Sequence, residues 1–169
     1  IHERLVGSEM CIRDRAYVAV LNLANGLDDT ANASNPSATQ YGLMGVTGVD
    51  SAGKASLLGD ALDLKVRDDV RSVALVQDVA DAAQAVIAGA AGQGAPTLAQ
   101  LQTLGIAGVT QDKLKAVQDA IANTANDGSG VDTLGELQTV VNASLSAAAA
   151  ALSVIRLYAQ NNSGTAPTV

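Results

Sequence analysis

The chain holds 169 residues, 48% of them apolar, yet it has no Trp or Phe and only three tyrosines, a composition that favours thin, close-packed helices over a large enzyme core with a deep pocket. A net charge of −7 opposes nucleic acid and anionic membrane surfaces. From Ala16 onward there is neither Cys nor His, which removes the thiolate nucleophile, the imidazole base, the disulfide and the Cys/His zinc site from anything this chain builds alone.

Residues 1–15, IHERLVGSEMCIRDR, differ from all that follows: they carry the sole Cys (Cys11), the sole His (His2), two of the three Glu (Glu3, Glu9) and no Ala. They resemble a translated sequencing adapter and are set apart from the functional reading as a cloning scar would be, a disordered tail being the other reading. Residues 16–35 read as the last helix and linker of a truncated preceding repeat. In AYVAVLNLAN, Val18, Val20, Leu21 and Leu23 fall on Leu152, Val154, Ile155 and Leu157 near the end of the chain. GLDDTANASN (26–35) then has too much Asp, Asn, Gly and Ser for a helix interior.

Residues 36–95 form the first full helical repeat and 96–165 the second, because PSATQYGLMGVTGVD (36–50) aligns without a gap on PTLAQLQTLGIAGVT (96–110). In each, S/T-x-x-Q is a capping box that starts a short helix at Ser37 or Thr97. Gly45 or Gly105 stops it, with Val46 or Ile106 folding back on Tyr41 or Leu101. A second helix is expected over 50–64 with Asp50 as cap, and over 110–123 with Thr110 as cap, Val109 stapled to Leu114, and Leu114, Val117 and Ile121 inward. LKVRDDVR (64–71) reads as a solvated turn. The third helix of the first repeat starts near Ser72 and buries Val73, Val76, Ala80, Ala83, Ile87 and Ala90. That of the second follows the loop NDGSGVD (126–132) and the Thr133/Glu136 capping box. It buries Leu134, Leu137, Val141, Leu145, Ala148, Leu152, Ile155 and Ala159, and it gains seven residues around Ser144–Ala150, two turns that return the stripe to the same face. Residues 166–169, APTV, copy Ala95–Leu98 and read as the start of a next repeat, so both ends read as cuts and the lack of a visible signal peptide is uninformative.

The fold class expected is therefore all-α: tandem three-helix units of a short, a medium and a long helix, either stacked as a solenoid-like array or held as beads on a string. The most apolar run, SLSAAAAALSVI, is too short to span a bilayer, so no membrane insertion is expected. Candidate sites are weak. Asn126, Asp127 and Asp132 suggest a calcium loop, but in the register set by Gly128 the closing ligand would be Leu134. The glycines of 45–48 and 105–108 lack the lysine and strand of a phosphate loop. The pairs Asp28/Asp29 and Asp68/Asp69 have no base beside them, and Tyr41 and Tyr158 sit at core spacing. Asn142-Ala143-Ser144 and Asn161-Asn162-Ser163 match an N-glycosylation triplet without further support. No catalytic, cofactor-binding or metal residue is assigned.

The repeat resembles the helical tandem repeats of very large bacterial surface or secreted proteins of adhesin type. It does so through Ala95, Pro96 and Thr97; Gly105, Ile106, Gly108, Val109 and Thr110; Leu114, Ala116 and Val117; and Val131, Asp132, Thr133, Gln138 and Val141. The first copy departs from the pattern at Asp50, at Gly53 and in VRDDVRS, and is expected to be the less stable. The resemblance implies an extracellular or cell-surface location and a non-enzymatic spacer role, supporting adhesion or projecting distal domains, with neighbouring repeats of the same chain as partners. The alternative is a three-helix module that captures a surface or host protein on one helix face, which requires an exposed apolar patch recurring in both copies. Outward positions differ between copies, Lys113 and Lys115 against Ala52 and Lys54, and Asp81 against Asn142, which favours the spacer.

Overall fold

The computed structural model describes residues 2–25, 34–125 and 127–161, and among them every regular element is helical. Seven α-helices, α1 (His2–Leu23), α2 (Ala38–Met44), α3 (Ala52–Asp63), α4 (Val73–Ala90), α5 (Leu98–Thr103), α6 (Leu114–Ala122) and α7 (Leu134–Asn161), are joined by loops and one 3-10 turn, Arg67–Val70. The expectations for Gly26–Ala33 with Asp28 and Asp29, for Asn126, and for Asn162–Val169 with the second glycosylation triplet, lie outside the described residues.

α2 and α5 begin at their capping boxes. The Ser37 hydroxyl accepts from Gln40 N at 3.3 Å while Gln40 Oε1 accepts from Ser37 N at 2.8 Å. Thr97 and Gln100 do the same at 3.2 and 2.8 Å. Each helix then stops at a glycine in the left-handed region, Gly45 at φ 91° and Gly105 at φ 85°, where a side chain would be strained. Beyond the glycine, Val46 N donates to Tyr41 O at 3.1 Å and Ile106 N to Leu101 O at 3.0 Å, the six-to-one bond of a Schellman stop.

The second helices start later than expected. Asp50 does not cap α3: its carboxylate takes the Lys54 ammonium at 2.7 Å, and the next residue, Ser51, caps by accepting from Lys54 N at 3.2 Å. Thr110 does not cap α6 either. Its hydroxyl is engaged by Asp112, whose carboxyl is thereby held below the ordinary range. Its carbonyl accepts from Lys113 N at 3.0 Å in a separate turn, so the helix opens only at Leu114. The stretch expected as a solvated turn is pinned at several points. Val70 is fully buried, Tyr17 donates its hydroxyl to Val70 O at 2.7 Å, Arg67 Nε donates to Leu21 O at 3.1 Å and Lys65 Nζ to Thr103 O at 2.7 Å.

One hydrophobic cluster runs from Ala16 to Val141 through both sequence copies. The end of α1 packs on α2 and α3, α3 on α4, α4 on α5 and α6, and α6 on α7. α4 lies at the centre, and its buried face is broader than the expected stripe, since Val79, Ala82, Val86 and Gly89 join it. Small residues allow this close approach. A Cβ on Gly89 would stand 3.0 Å from Pro96 Cδ and 3.4 Å from Ile121 Cγ2.

α7 departs from expectation in three ways. Leu137 and Val141 are buried, but Leu152, Ile155 and Ala159, expected inward, are exposed, with Leu152 at 51% and Ile155 at 49%. Its length is also different: 28 residues against 18 in α4, a gain of ten rather than seven. Finally, SLSAAAAALSVI is only the middle of a helix that, like α4, is long and apolar enough to cross a membrane, with mean hydropathy 1.6 over Leu134–Gln160 and 1.3 over Val73–Ala90. α4 is half buried in the core, and α7 is seated there by Leu137 and Val141. The part exposed throughout, from Ala149 to Gln160, is about 18 Å long, short of the roughly 30 Å hydrocarbon layer.

At the other end, the backbone of His2–Arg15 is helical and continuous with the rest of α1. The first buried side chain among those described is Ala16, while Cys11, Arg13, Asp14 and Arg15 are exposed.

Candidate functional site

Two arrangements bring polar side chains together from distant parts of the chain. The first occurs twice. The glycine-bounded loop after each short helix presents one outward residue, Thr47 or Ala107, whose backbone N–H and C=O have no helical partner. A glutamine on the third helix takes both. Gln77 Oε1 accepts from Thr47 N at 2.8 Å and its Nε2 donates to Thr47 O at 3.1 Å. Gln138 does the same to Ala107, at 3.0 and 3.4 Å. One turn further on, Asp81 or Asn142 accepts from the same amide, at 2.7 and 2.9 Å, and so fixes which way the amide is turned. Both glutamines are the fifth residue of their helix. Asp81 and Asn142, expected as outward positions that differ between the copies, are both exposed and both hold this clamp.

The second arrangement joins the two copies. Asp60 on α3 accepts from Asn35 Nδ2 at 2.8 Å through one carboxylate oxygen, and from Leu134 N at 3.0 Å through the other. It thus ties the segment entering α2 to the first amide of α7, where a negative charge is favoured. Thr133 and Glu136 complete that helix start, the Thr133 hydroxyl accepting from Glu136 N at 3.3 Å and donating to Glu136 Oε2 at 2.9 Å. Asp60, Leu64, Gly105, Thr133 and Gln138 line an open cleft of ≈ 480 Å³ between α3, α5 and α7.

Around this cleft the acids are unequal. Desolvation first, then Glu136, raises the Asp132 carboxyl above its ordinary range. The Thr133 hydroxyl first, then Asp132, lowers Glu136. Tyr41 is fully buried, and its hydroxyl finds no hydrogen-bond partner among the described residues. Burial, with the nearby Asp60 charge second, pushes the phenol well above its usual value.

The residues singled out from sequence are not brought into one place. Asp127 closes a local turn by accepting from Ser129 N at 3.0 Å, which holds its carboxyl low, and Asp132 stands instead beside Glu136. Among the described residues no group of three or more His, Cys, Asp or Glu gathers. Asp68 and Asp69 lie exposed on the 3-10 turn, where Asp69 Oδ2 accepts from Val66 N at 3.4 Å. Tyr41 is core, but Tyr158 is 36% exposed. Asn142 is committed to the glutamine clamp. Sequence reasoning missed Gln77, Asp60 and Asn35 altogether. The available signal for Gln77 was that it occupies the same helix position as Gln138, a residue of the repeat signature. Comparison with family models, curated proteins and solved structures finds no match to this chain.

Proposed function

We propose that the chain is a segment of a non-enzymatic spacer, an array of three-helix units in a large exported bacterial surface protein that supports adhesion or projects distal domains. The observation that carries the reading is the single hydrophobic cluster running from Ala16 to Val141. Neighbouring units share buried residues and so resist bending at their junctions. The parts common to both copies also serve construction: the capping boxes, the glycine stops and the glutamine clamps. The exported, surface location rests on the resemblance of the repeat signature alone.

The capture-module alternative needs an apolar patch that recurs. In the first copy, the exposed Leu43 and Leu64 have Thr103 and Thr124 at the equivalent positions of the second.

The test is X-ray scattering on chains carrying one, two and three further copies of residues 96–165. A spacer lengthens by a constant step with each copy added. Growth with the square root of copy number, as in a flexible tether, or collapse to a compact particle, sinks the proposal.

A further inference from the structure

The part of α7 beyond Ala149 carries Leu152, Val154, Ile155, Leu157 and Tyr158 into solvent, from 36% to 55% exposed. The chain contains two other helices of this kind, and both have the corresponding surface covered. At the end of α1, Val20 and Leu23 are buried, as is Ala24 just past it, and α2 and α3 pack on this helix. In α4, Ala83 and Val86 are buried with Ile87 half-buried, and α5 and α6 pack on this helix, Ile121 of α6 lying against Gly89. The sequence match of Ala16–Asn25 to the end of α7 puts Val20, Leu23 and Ala24 on Val154, Leu157 and Tyr158. Matching Pro96 to Pro167 puts Ala83, Val86 and Ile87 on the same three residues. Both registers single out one face.

We infer that this face is the docking surface for a further unit of the same kind: a capped short helix and the medium helix after it, entering through an A-P-[ST] segment. The inference rests on the spacer reading and specifies its joint. Three observations choose this occupant. The same kind of helix is covered twice in the chain, each time by the short and medium helices that follow it. Pro96 stands six residues after α4 ends at Ala90, and Pro167 six residues after α7 ends at Asn161. Finally, Ala166-Pro167-Thr168-Val169 repeats Ala95-Pro96-Thr97-Leu98 except for Val in place of Leu. A lipid surface is less well matched, since the uncovered stretch is shorter than a bilayer's hydrocarbon layer and the chain's charge is −7.

The experiment uses the full chain with Cys11, which is free and exposed, changed to Ser, and with Leu157→Cys as the reporter. Labelling of the thiol at position 157 is timed in this chain, and in the same chain continued past Val169 with residues 99–161 of the second copy. Burial by the added unit is expected to slow labelling about tenfold or more, since a docked residue reacts only when the joint opens. Circular dichroism follows whether the added residues become helical. An unchanged labelling rate overturns the inference, whether the added unit folds elsewhere or stays unfolded, because in neither case has it docked. Protection in the unextended chain that rises with protein concentration makes the occupant a second copy in trans. Protection on adding phosphatidylcholine/phosphatidylserine vesicles makes it a membrane. Either outcome also overturns the inference. An unprotected thiol in chains that still lengthen by a constant step removes this joint and leaves the spacer standing, whereas loss of that constant step removes the spacer itself.

Discussion

Replacing Asp60 with Ala tests whether the two sequence copies are coupled through polar contacts as well as through the core. The carboxylate is half-buried and makes two hydrogen bonds, from Asn35 Nδ2 at 2.8 Å and from Leu134 N at 3.0 Å. A hydrogen bond to a charged group contributes about 1.5–3 kcal/mol net, and an anion at a helix start adds about 0.3–1 kcal/mol. Partial exposure lets water replace some of this, so Asp60→Ala is expected to cost about 2–4 kcal/mol. At about 2–4 °C per kcal/mol for a chain of this size, the melting temperature falls by about 5–15 °C. Asp60→Asn keeps one acceptor, for Leu134 N, but loses the charge and sets an NH2 donor against Asn35 Nδ2 in place of the second acceptor, and is expected to cost about 1–3 kcal/mol. The assay is thermal unfolding followed at 222 nm, with hydrogen exchange at the Leu134 amide as the local readout. A double-mutant cycle with Asn35→Ala isolates the side-chain pair. If Asp60→Ala melts within about 1 °C of the parent, as a neutral surface change would, and Leu134 exchange is unchanged, the bridge contributes nothing and the coupling is apolar alone.

Gln138→Ala frees the Ala107 backbone to water and is expected to cost about 1–2 kcal/mol, with Gln77→Ala costing the same and the two adding in denaturant titrations. A strongly non-additive pair contradicts two independent clamps. Tyr41→Phe removes a buried hydroxyl that lacks a partner among the described residues, so it is expected to be neutral or to stabilise by up to about 1 kcal/mol; a loss of stability in the same titration means the hydroxyl is bonded in solution. The Asp132 carboxyl is raised, so the folded state binds its proton more tightly than the unfolded state. It therefore costs stability at neutral pH, and the cost fades as pH falls through its folded value. Glu136 is lowered and behaves oppositely, its contribution being present above its unfolded value and lost as pH falls through the folded one. Asp132→Asn should raise the melting temperature at about pH 7, with the gain shrinking toward about pH 4. A gain that grows on acidification refutes the assignment.

What the sequence discloses here follows from how far apart bonded partners lie. Ser37, Thr97, Ser72 and Thr133 each cap the helix that begins beside them, through bonds that span three residues, and a short pattern suffices to find them. The same locality misled at Asp50 and Thr110. Each has the right residue type for a cap, but a neighbour in the same turn, Lys54 or Asp112, competes for its side chain. Gln77 lies thirty residues from Thr47 and Asp60 seventy-four from Leu134, and at those separations periodicity carries no information about pairing. The inward face of α7 was misjudged for a related reason. An apolar stripe says that a surface is suited to burial, but what buries it must come from elsewhere, and Leu152 and Ile155 remain about half exposed.

The unequal lengths of α4 and α7 make the chain a screw of uneven thread. Ten additional residues advance the helix axis by about 15 Å and turn it through about 1000°, which leaves the end face about 80° short of three full turns. Measured from their capped starts at Ser72 and Thr133, the two helices thus present Val86 and Leu157 at different heights and different azimuths. A unit seated on α7 would be carried farther out and swung sideways relative to the step that α4 makes. In the proposed array, the count of residues in each long helix, 18 in α4 and 28 in α7, would set the rise and bend from one unit to the next.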